Sequence, residues 1–215
     1  MRSRALALDV SARAENSLAT TGETATMSSA AASDDEALIR RIAAGDKLAM
    51  QVLFGRYQVR IFRFLLRFVK DEAEAEDLIS EVFLDVWRQA GRFEARSSVS
   101  TWLLGIARFK ALSLVRKRRD DSLDEEHAAG IADTDDTPEV ALQKKDKGSV
   151  LRQCLHKLSA DHREIIDLVY YHEKSVEEVA EILGIPGNTV KTRMFYARQK
   201  LSEILRHAGV DRGWP

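Results

Sequence analysis

Ser175-Val-Glu-Glu-Val-Ala-Glu-Ile-Leu-Gly-Ile-Pro-Gly-Asn-Thr-Val-Lys-Thr-Arg-Met-Phe-Tyr-Ala-Arg-Gln-Lys-Leu201 is the stretch that decides the fold. Ser175 and Glu178 have the S-x-x-E spacing of a capping box, which predicts a helix starting just after Ser175. Gly184 suits the left-handed conformation that ends a helix, and Pro186-Gly187 does not continue it. Asn188 is expected to cap a second helix. Two short helices joined by a Gly-containing turn have the form of a helix-turn-helix.

On a wheel of about 100° per residue, Val190, Met194, Ala197, Leu201 and Ile204 share one stripe of the second helix, its core face. Asn188, Thr192 and Gln199 lie opposite, flanked by Phe195 and Tyr196. Lys191 and Arg198 run down one edge, Arg193 and Lys200 down the other. Hydrogen-bonding groups between two rows of cations suit an element lying in a DNA major groove, with cations on phosphates and central side chains on base edges. Four neutralised phosphates give a log–log salt slope of about −3.6. An ordinary solvated helix face would carry charges too, but the capped helix and the Gly-Ile-Pro-Gly turn favour DNA binding.

The chain has 215 residues, enough for one large or two small domains, and a net charge of −1. Its basic character is therefore local. One cysteine, Cys154, excludes an internal disulfide framework and suits a reducing cytoplasm; it reads as a small apolar helix residue. His156 and His162 near Cys154 fit no usual zinc spacing, and no glycine-rich nucleotide loop precedes a helix, so no metal or cofactor is expected. Ile61–Val69 is too short to span a bilayer and is interrupted by Arg63 and Arg67. Residues 1–33 are rich in Ala, Ser and Thr and are expected to be a disordered tail. Within them Met27 is a candidate initiator beside Met1, a choice that mass spectrometry of the native N-terminus decides.

Helical patterns cover Asp34–Ala44, Leu48–Val69, Glu72–Arg88 and Val99–Arg119, with no alternating strand pattern, so the class is all-α. On the third helix Ala75, Leu78, Ile79, Val82 and Val86 form the buried stripe. Its far side carries Asp77, Ser80, Leu84 and Trp87, with Glu76, Glu81 and Asp85 alongside. That surface suits a basic partner; equally, Trp87 could pack on the next helix with the acids solvated. Phe93, Arg96, Ser97 and Ser98 in the following loop, then Trp102, Arg108 and Lys110, interleave aromatics with cations as single-stranded DNA requires. Trp102 and Phe93 also suit core positions. Residues 120–147 are acidic and poor in large apolar side chains, the composition of a flexible linker. Helices over Val150–Leu158 and Asp161–Tyr171 are expected to support the helix-turn-helix. The division is thus a tail (1–33), a first domain (34–119), a linker (120–147), a second domain (148–207) and a short C-terminal tail (208–215).

In order, Ala75-Glu-Asp-Leu-Ile-Ser-Glu-Val-Phe-Leu-Asp-Val-Trp87, Ser100-Thr-Trp-Leu-Leu-Gly-Ile-Ala-Arg108, Arg116-Lys-Arg-Arg119 and Glu178–Arg193 with Ala197-Arg198 resemble a bacterial extracytoplasmic-function (group IV) sigma factor. The resemblance covers about Asp34 to Arg206. It implies a non-enzymatic, cytoplasmic subunit that directs core RNA polymerase to signal-responsive promoters. The polymerase clamp helices would be bound through Asp77, Ser80, Glu81, Leu84 and Trp87, and the flap would be a further contact. Phe93, Arg96, Ser97, Ser98, Trp102 and Arg108 would act on the −10 element. Asn188, Lys191, Thr192, Arg193, Phe195, Tyr196, Arg198 and Gln199 would read the −35 element. The linker would thread toward the RNA exit path, and an anti-sigma factor would be a partner. Ser80 stands where the family usually has Gln, and Phe109 where an Asn is common. A stand-alone helix-turn-helix regulator is the alternative; it would bind duplex DNA without core enzyme. A helical scaffold, the third reading, would show no transcript change on Arg193→Ala or Lys191→Ala.

Overall fold

The computed structural model describes residues 33–69, 71–121 and 147–209. The expectations for residues 1–32, most of the linker and the last six residues lie outside them. All regular structure among the described residues is helical: α1 (33–43), α2 (Lys47–Leu65), α3 (Glu72–Gln89), a 3-10 turn (Ala90–Arg92), α4 (Val99–Asp121), α5 (Lys147–His156), α6 (Ala160–Ile166), a π-helical turn (Asp167–Tyr171), α7 (Val176–Leu183) and α8 (Gly187–His207).

Two compact units are present. The first takes residues 33–56 and 86–99, and the second takes the remaining described residues. In the first, Leu38, Ile39 and Ile42 of α1 are buried, as are Ala49, Leu53, Val86, Ala90 and Val99. Asp46 opens α2: its Oδ1 accepts from the N–H groups of Leu48 (2.9 Å) and Ala49 (3.1 Å). The bond from Ala49, followed by one from Arg41, holds the Asp46 carboxyl below the usual carboxylate range. Arg56 binds Asp34 at 2.7 Å and also Asp35, tying the start of α1 to α2.

The second unit holds the helix-turn-helix, and here local chemistry acts as the sequence indicates. The Ser175 hydroxyl accepts from Glu178 N–H (3.2 Å), and the Glu178 carboxylate accepts from Ser175 N–H (3.1 Å), completing the capping box. Gly184 ends α7 at φ 67°. A β-branched side chain is a steric outlier there. Gly184→Val should therefore lower stability by about 1–3 kcal/mol, measured as a shift of the urea midpoint. Val179, Ile182, Leu183, Val190, Met194 and Ala197 are buried with Cys154, Leu158, Ile165 and Leu168. α8 lies against α5, α6 and α7.

Three local expectations are corrected. Asn188 does not cap α8. Pro186 occupies that place at φ −60° and ψ 144°, and its carbonyl accepts from Thr189 N–H (2.8 Å) and Val190 N–H (3.1 Å). The proline ring already fixes the φ that a cap residue needs, so the helix begins earlier than expected, at Gly187. The helix expected to run to Val69 stops at Leu65 and closes in a tighter turn, with Arg67 N–H bonded to Phe64 O (3.2 Å). The helix expected over Asp161–Tyr171 is interrupted: after Ile166 the turn widens, with His172 N–H reaching Asp167 O at 3.0 Å. That five-residue spacing is a π turn, and both Asp167 and His172 are buried beside it.

Candidate nucleic-acid interface

Helix α8 presents two faces with opposite exposure. Val190 and Ala197 are fully buried and Met194 nearly so, whereas Phe195 is 65% and Tyr196 54% exposed. Asn188, Lys191, Thr192, Arg198 and Gln199 are placed on the same helix, with Lys191, Arg198 and Gln199 in solvent. The two aromatic rings meet edge to face, with centroids 5.4 Å apart, so they form one projecting ridge. Thr192 donates its hydroxyl to the Asn188 carbonyl (3.0 Å). That bond orients the methyl and leaves the hydroxyl oxygen able to accept. No side chain caps α8; the Pro186 carbonyl takes the N–H groups of Thr189 and Val190 instead.

The edge cations are not equivalent. Arg193 pairs with Asp161 at 3.1 Å, and Lys200 pairs with Glu203 at 3.2 Å. Arg198 lies over the Tyr170 ring, 5.6 Å from its centroid. A phosphate must displace or share these partners, whereas the Lys191 ammonium stands in solvent, open to a direct approach.

The residues of the 91–98 loop lie in the first unit. Phe93 N–H bonds Ala90 O at 3.2 Å, Arg96 pairs with Glu94 at 2.6 Å, and Ala95 holds φ 52°. Phe93, Ser97 and Ser98 are half-buried, and Arg96 is exposed. A cavity of about 310 Å³ opens between this loop and α1, lined by Phe93, Glu94, Ala95, Glu36, Ile39 and Arg40 among others. On α4, Trp102 is half-buried, and Arg108 donates from Nε to Glu164 Oε1 at 2.8 Å. Arg108 is therefore engaged by protein rather than presented freely. Phe109, at 70% exposure, is the projecting aromatic of α4.

On α3 the stripe Ala75, Leu78, Ile79, Val82 and Val86 is buried. Asp77, Ser80 and Glu81 are exposed, Leu84 is 46% exposed and Trp87 half-buried. Lys110 on α4 bonds Asp85 at 3.0 Å and Glu81 at 3.3 Å. The hydrogen bond to Asp85, then that to Glu81, raises its ammonium above the ordinary lysine value. The Ser80 hydroxyl donates to Glu76 O at 3.1 Å, so it is turned back on its own helix.

Sequence reasoning missed the segment between α6 and α7. Lys174 is 8% exposed and Asp167 3%. Burial lowers the Lys174 ammonium below the ordinary lysine range, against the opposing pull of Glu178. A readable signal existed: Asp167 interrupts the apolar run Ile165-Ile166-Asp167-Leu168-Val169, and a lone acid in such a run calls for a buried partner.

Comparisons with known proteins show what the chain is similar to. The family model for Sigma-70 region 2 matches residues 53–120, and that for Sigma-70 region 4 matches residues 154–203. The chain is 31% identical over 182 residues to the RNA polymerase sigma-H factor of Pseudomonas aeruginosa, covering 80% of this chain and 94% of the relative. It is 30% identical over 177 residues to the ECF RNA polymerase sigma factor SigK of Mycobacterium tuberculosis, with 80% and 94% covered. The solved structure of the sigma factor RpoE in complex with the anti-sigma factor NepR from Bartonella quintana superposes with a TM-score of 0.60 at 27% identity, covering 75% of this chain and 98% of that one.

Proposed function

Since the chain belongs to the extracytoplasmic-function (ECF) family of RNA polymerase sigma factors, we propose that α8 reads the upstream (−35) promoter element while the 91–98 loop and α4 act on the −10 element. The observation that carries this reading is the exposed ridge of Phe195 and Tyr196 beside Lys191 and Thr192, on a helix whose other face is buried. Major-groove reading needs polar and aromatic side chains on a rigid element flanked by phosphate-binding cations, and α8 has both. Asn188, Arg193, Arg198 and Gln199 complete its contact set.

Phe93, Arg96, Ser97, Ser98, Trp102 and Arg108 form the −10 set, the loop cavity taking a base and Trp102 supporting the melted strand by stacking. Asp77, Ser80, Glu81, Leu84 and Trp87 on α3 dock on the clamp helices of core polymerase, with the flap as a contact of the second domain. The working division is a first domain at 34–119 and a second at 148–207. The protein has no catalytic role of its own: contact energy opens the duplex, and the polymerase makes RNA. It acts in the cytoplasm, and an anti-sigma factor of the kind bound in the RpoE–NepR complex is a partner. No helix among the described residues is long and apolar enough to cross a membrane.

Run-off transcription tests the reading. Core RNA polymerase with this protein should produce transcripts from discrete promoters, located by sequencing their 5′ ends, that core alone does not produce. Leu84→Arg places a charge on the centre of the α3 face and should reduce core binding by about tenfold or more, the equivalent of about 1.4 kcal/mol, in a pull-down titration. Duplex DNA binding of undiminished specificity without core, and no dependence of transcription on this protein, would assign it instead to stand-alone regulators.

A further inference from the structure

Between Val99 and Arg119, helix α4 contains no acidic residue. The acids that reach it come from other helices and are already paired: Glu81 and Asp85 with Lys110, Glu164 with Arg108, and Glu74 with Arg118. Arg116 and Lys117 are exposed and pair with no acid among the described residues. One face of this cationic helix is apolar. Trp102, Ile106 and Phe109 follow one another at helical spacing, with Gly105 among them. Trp102 and Ile106 are half-buried, whereas Phe109 is 70% exposed, more than any other large apolar side chain described. Phe195 and Tyr196 at least meet each other. The Phe109 ring meets no other ring among the described residues.

Gly105 is a second, independent observation. Glycine inside a helix lowers its stability relative to alanine, so a mid-helix glycine calls for a steric reason. Internal packing does not supply one, because a Cβ on Gly105 would meet nothing within 4 Å beyond its own turn. The missing side chain instead leaves open space one turn before Phe109. A helical side chain leans over the turn that precedes it, so the Phe109 ring borders this notch.

Ring, notch and cation suit one class of ligand. A planar group needs room beside the ring face, and Gly105 leaves it. An anionic backbone needs a cation, and Arg116 stands two turns further along the same face, about 10.5 Å on. A protein partner would call for several exposed apolar side chains side by side. Phe109 lacks such neighbours: Val115, the other exposed large apolar residue of α4, lies roughly 120° round the helix.

Resting on the reading of α4 as part of the −10 contact set, we propose that Gly105 and Phe109 form a stacking step for one unpaired nucleobase of the opened duplex, with Arg116 on the phosphate of that strand. The step carries no base identity, because every base has a π-face. It holds the open state rather than reading sequence, and it uses none of the residues that line the loop cavity at Phe93.

The test is the permanganate reactivity of unpaired thymines on a linear promoter fragment located by transcript mapping, with core RNA polymerase and the full-length chain. Phe109→Ala should lower the open-to-closed ratio by about tenfold, the effect of losing one stacked base. Core binding and the urea midpoint should not change. Phe109→Trp should restore opening, and Phe109→Asn, which can hydrogen-bond but not stack, should not. Gly105→Leu fills the notch with a better helix former, so the urea midpoint should rise while opening falls by a similar factor. A purely structural glycine would not give that opposed pair. Wild-type opening by Phe109→Ala overturns the step, and so does full opening by Phe109→Asn. Loss of core binding by Phe109→Ala overturns it too, since the ring would then be a polymerase contact. Trp102→Ala, verified as folded by circular dichroism, separates the step from the reading beneath it. If Trp102→Ala impairs opening and Phe109→Ala does not, only the step falls; if neither does, the −10 assignment of α4 falls with it.

Discussion

Lys191→Ala combined with Tyr196→Ala is expected to leave the fold intact and to cut promoter-specific run-off transcription by about a hundredfold. Both side chains are exposed, Tyr196 by 54%, so truncating them opens no cavity. A lost groove contact costs about 1–3 kcal/mol. Two losses of about 1.4 kcal/mol each, added because the contacts are separate, give the hundredfold factor. The Lys191 contribution has its own signature. Losing one phosphate contact should make the log–log salt dependence of promoter binding shallower by about 0.9. Arg193→Ala reads out less cleanly, because its pairing with Asp161 at 3.1 Å makes the variant report on a protein contact as well. Wild-type transcript levels from the double variant would show that α8 is not the promoter reader.

Phe64→Ala should have the largest effect on stability. The ring is fully buried and makes edge contacts with Phe68 at 5.2 Å and His172 at 5.5 Å. Removing such a ring typically costs about 3–5 kcal/mol. Against a total of about 5–15 kcal/mol for a folded domain, that is a large part of the reserve. Urea titration should show a markedly lower midpoint. Because His172 sits on this ring, the variant should also expose the π turn at Asp167–Tyr171 to limited proteolysis. A midpoint within error of wild type would mean that the surrounding side chains collapse into the space at little cost.

Much of the interface is legible in residue types and their spacing. Ser175, Glu178 and Gly184 act as local chemistry requires, and the buried and exposed faces of α3 and α8 follow from helical periodicity. The cap of α8 shows the limit of residue preference: Asn188 is the better capping type, but Pro186 already has the backbone geometry. Arg108 shows a different limit. Its type and place suited a DNA contact, yet its charge is occupied by Glu164, 56 residues away in the chain. Lys174 has the residue type of a surface position and is buried, bonded to Ser100 at a separation of 74.

By itself the sequence determined the all-α class, the helix-turn-helix and which residue types face outward on α8. Helix capping and the 3.6-residue period act over a few neighbouring residues, so they are written locally. The tertiary structure alone decided which ionic groups are occupied, where the chain widens into a π turn at Asp167, and that α4 is partly covered while the reading face of α8 is not. Those outcomes depend on desolvation and on partners brought together across long stretches of chain, and neither is encoded in the spacing of adjacent residues.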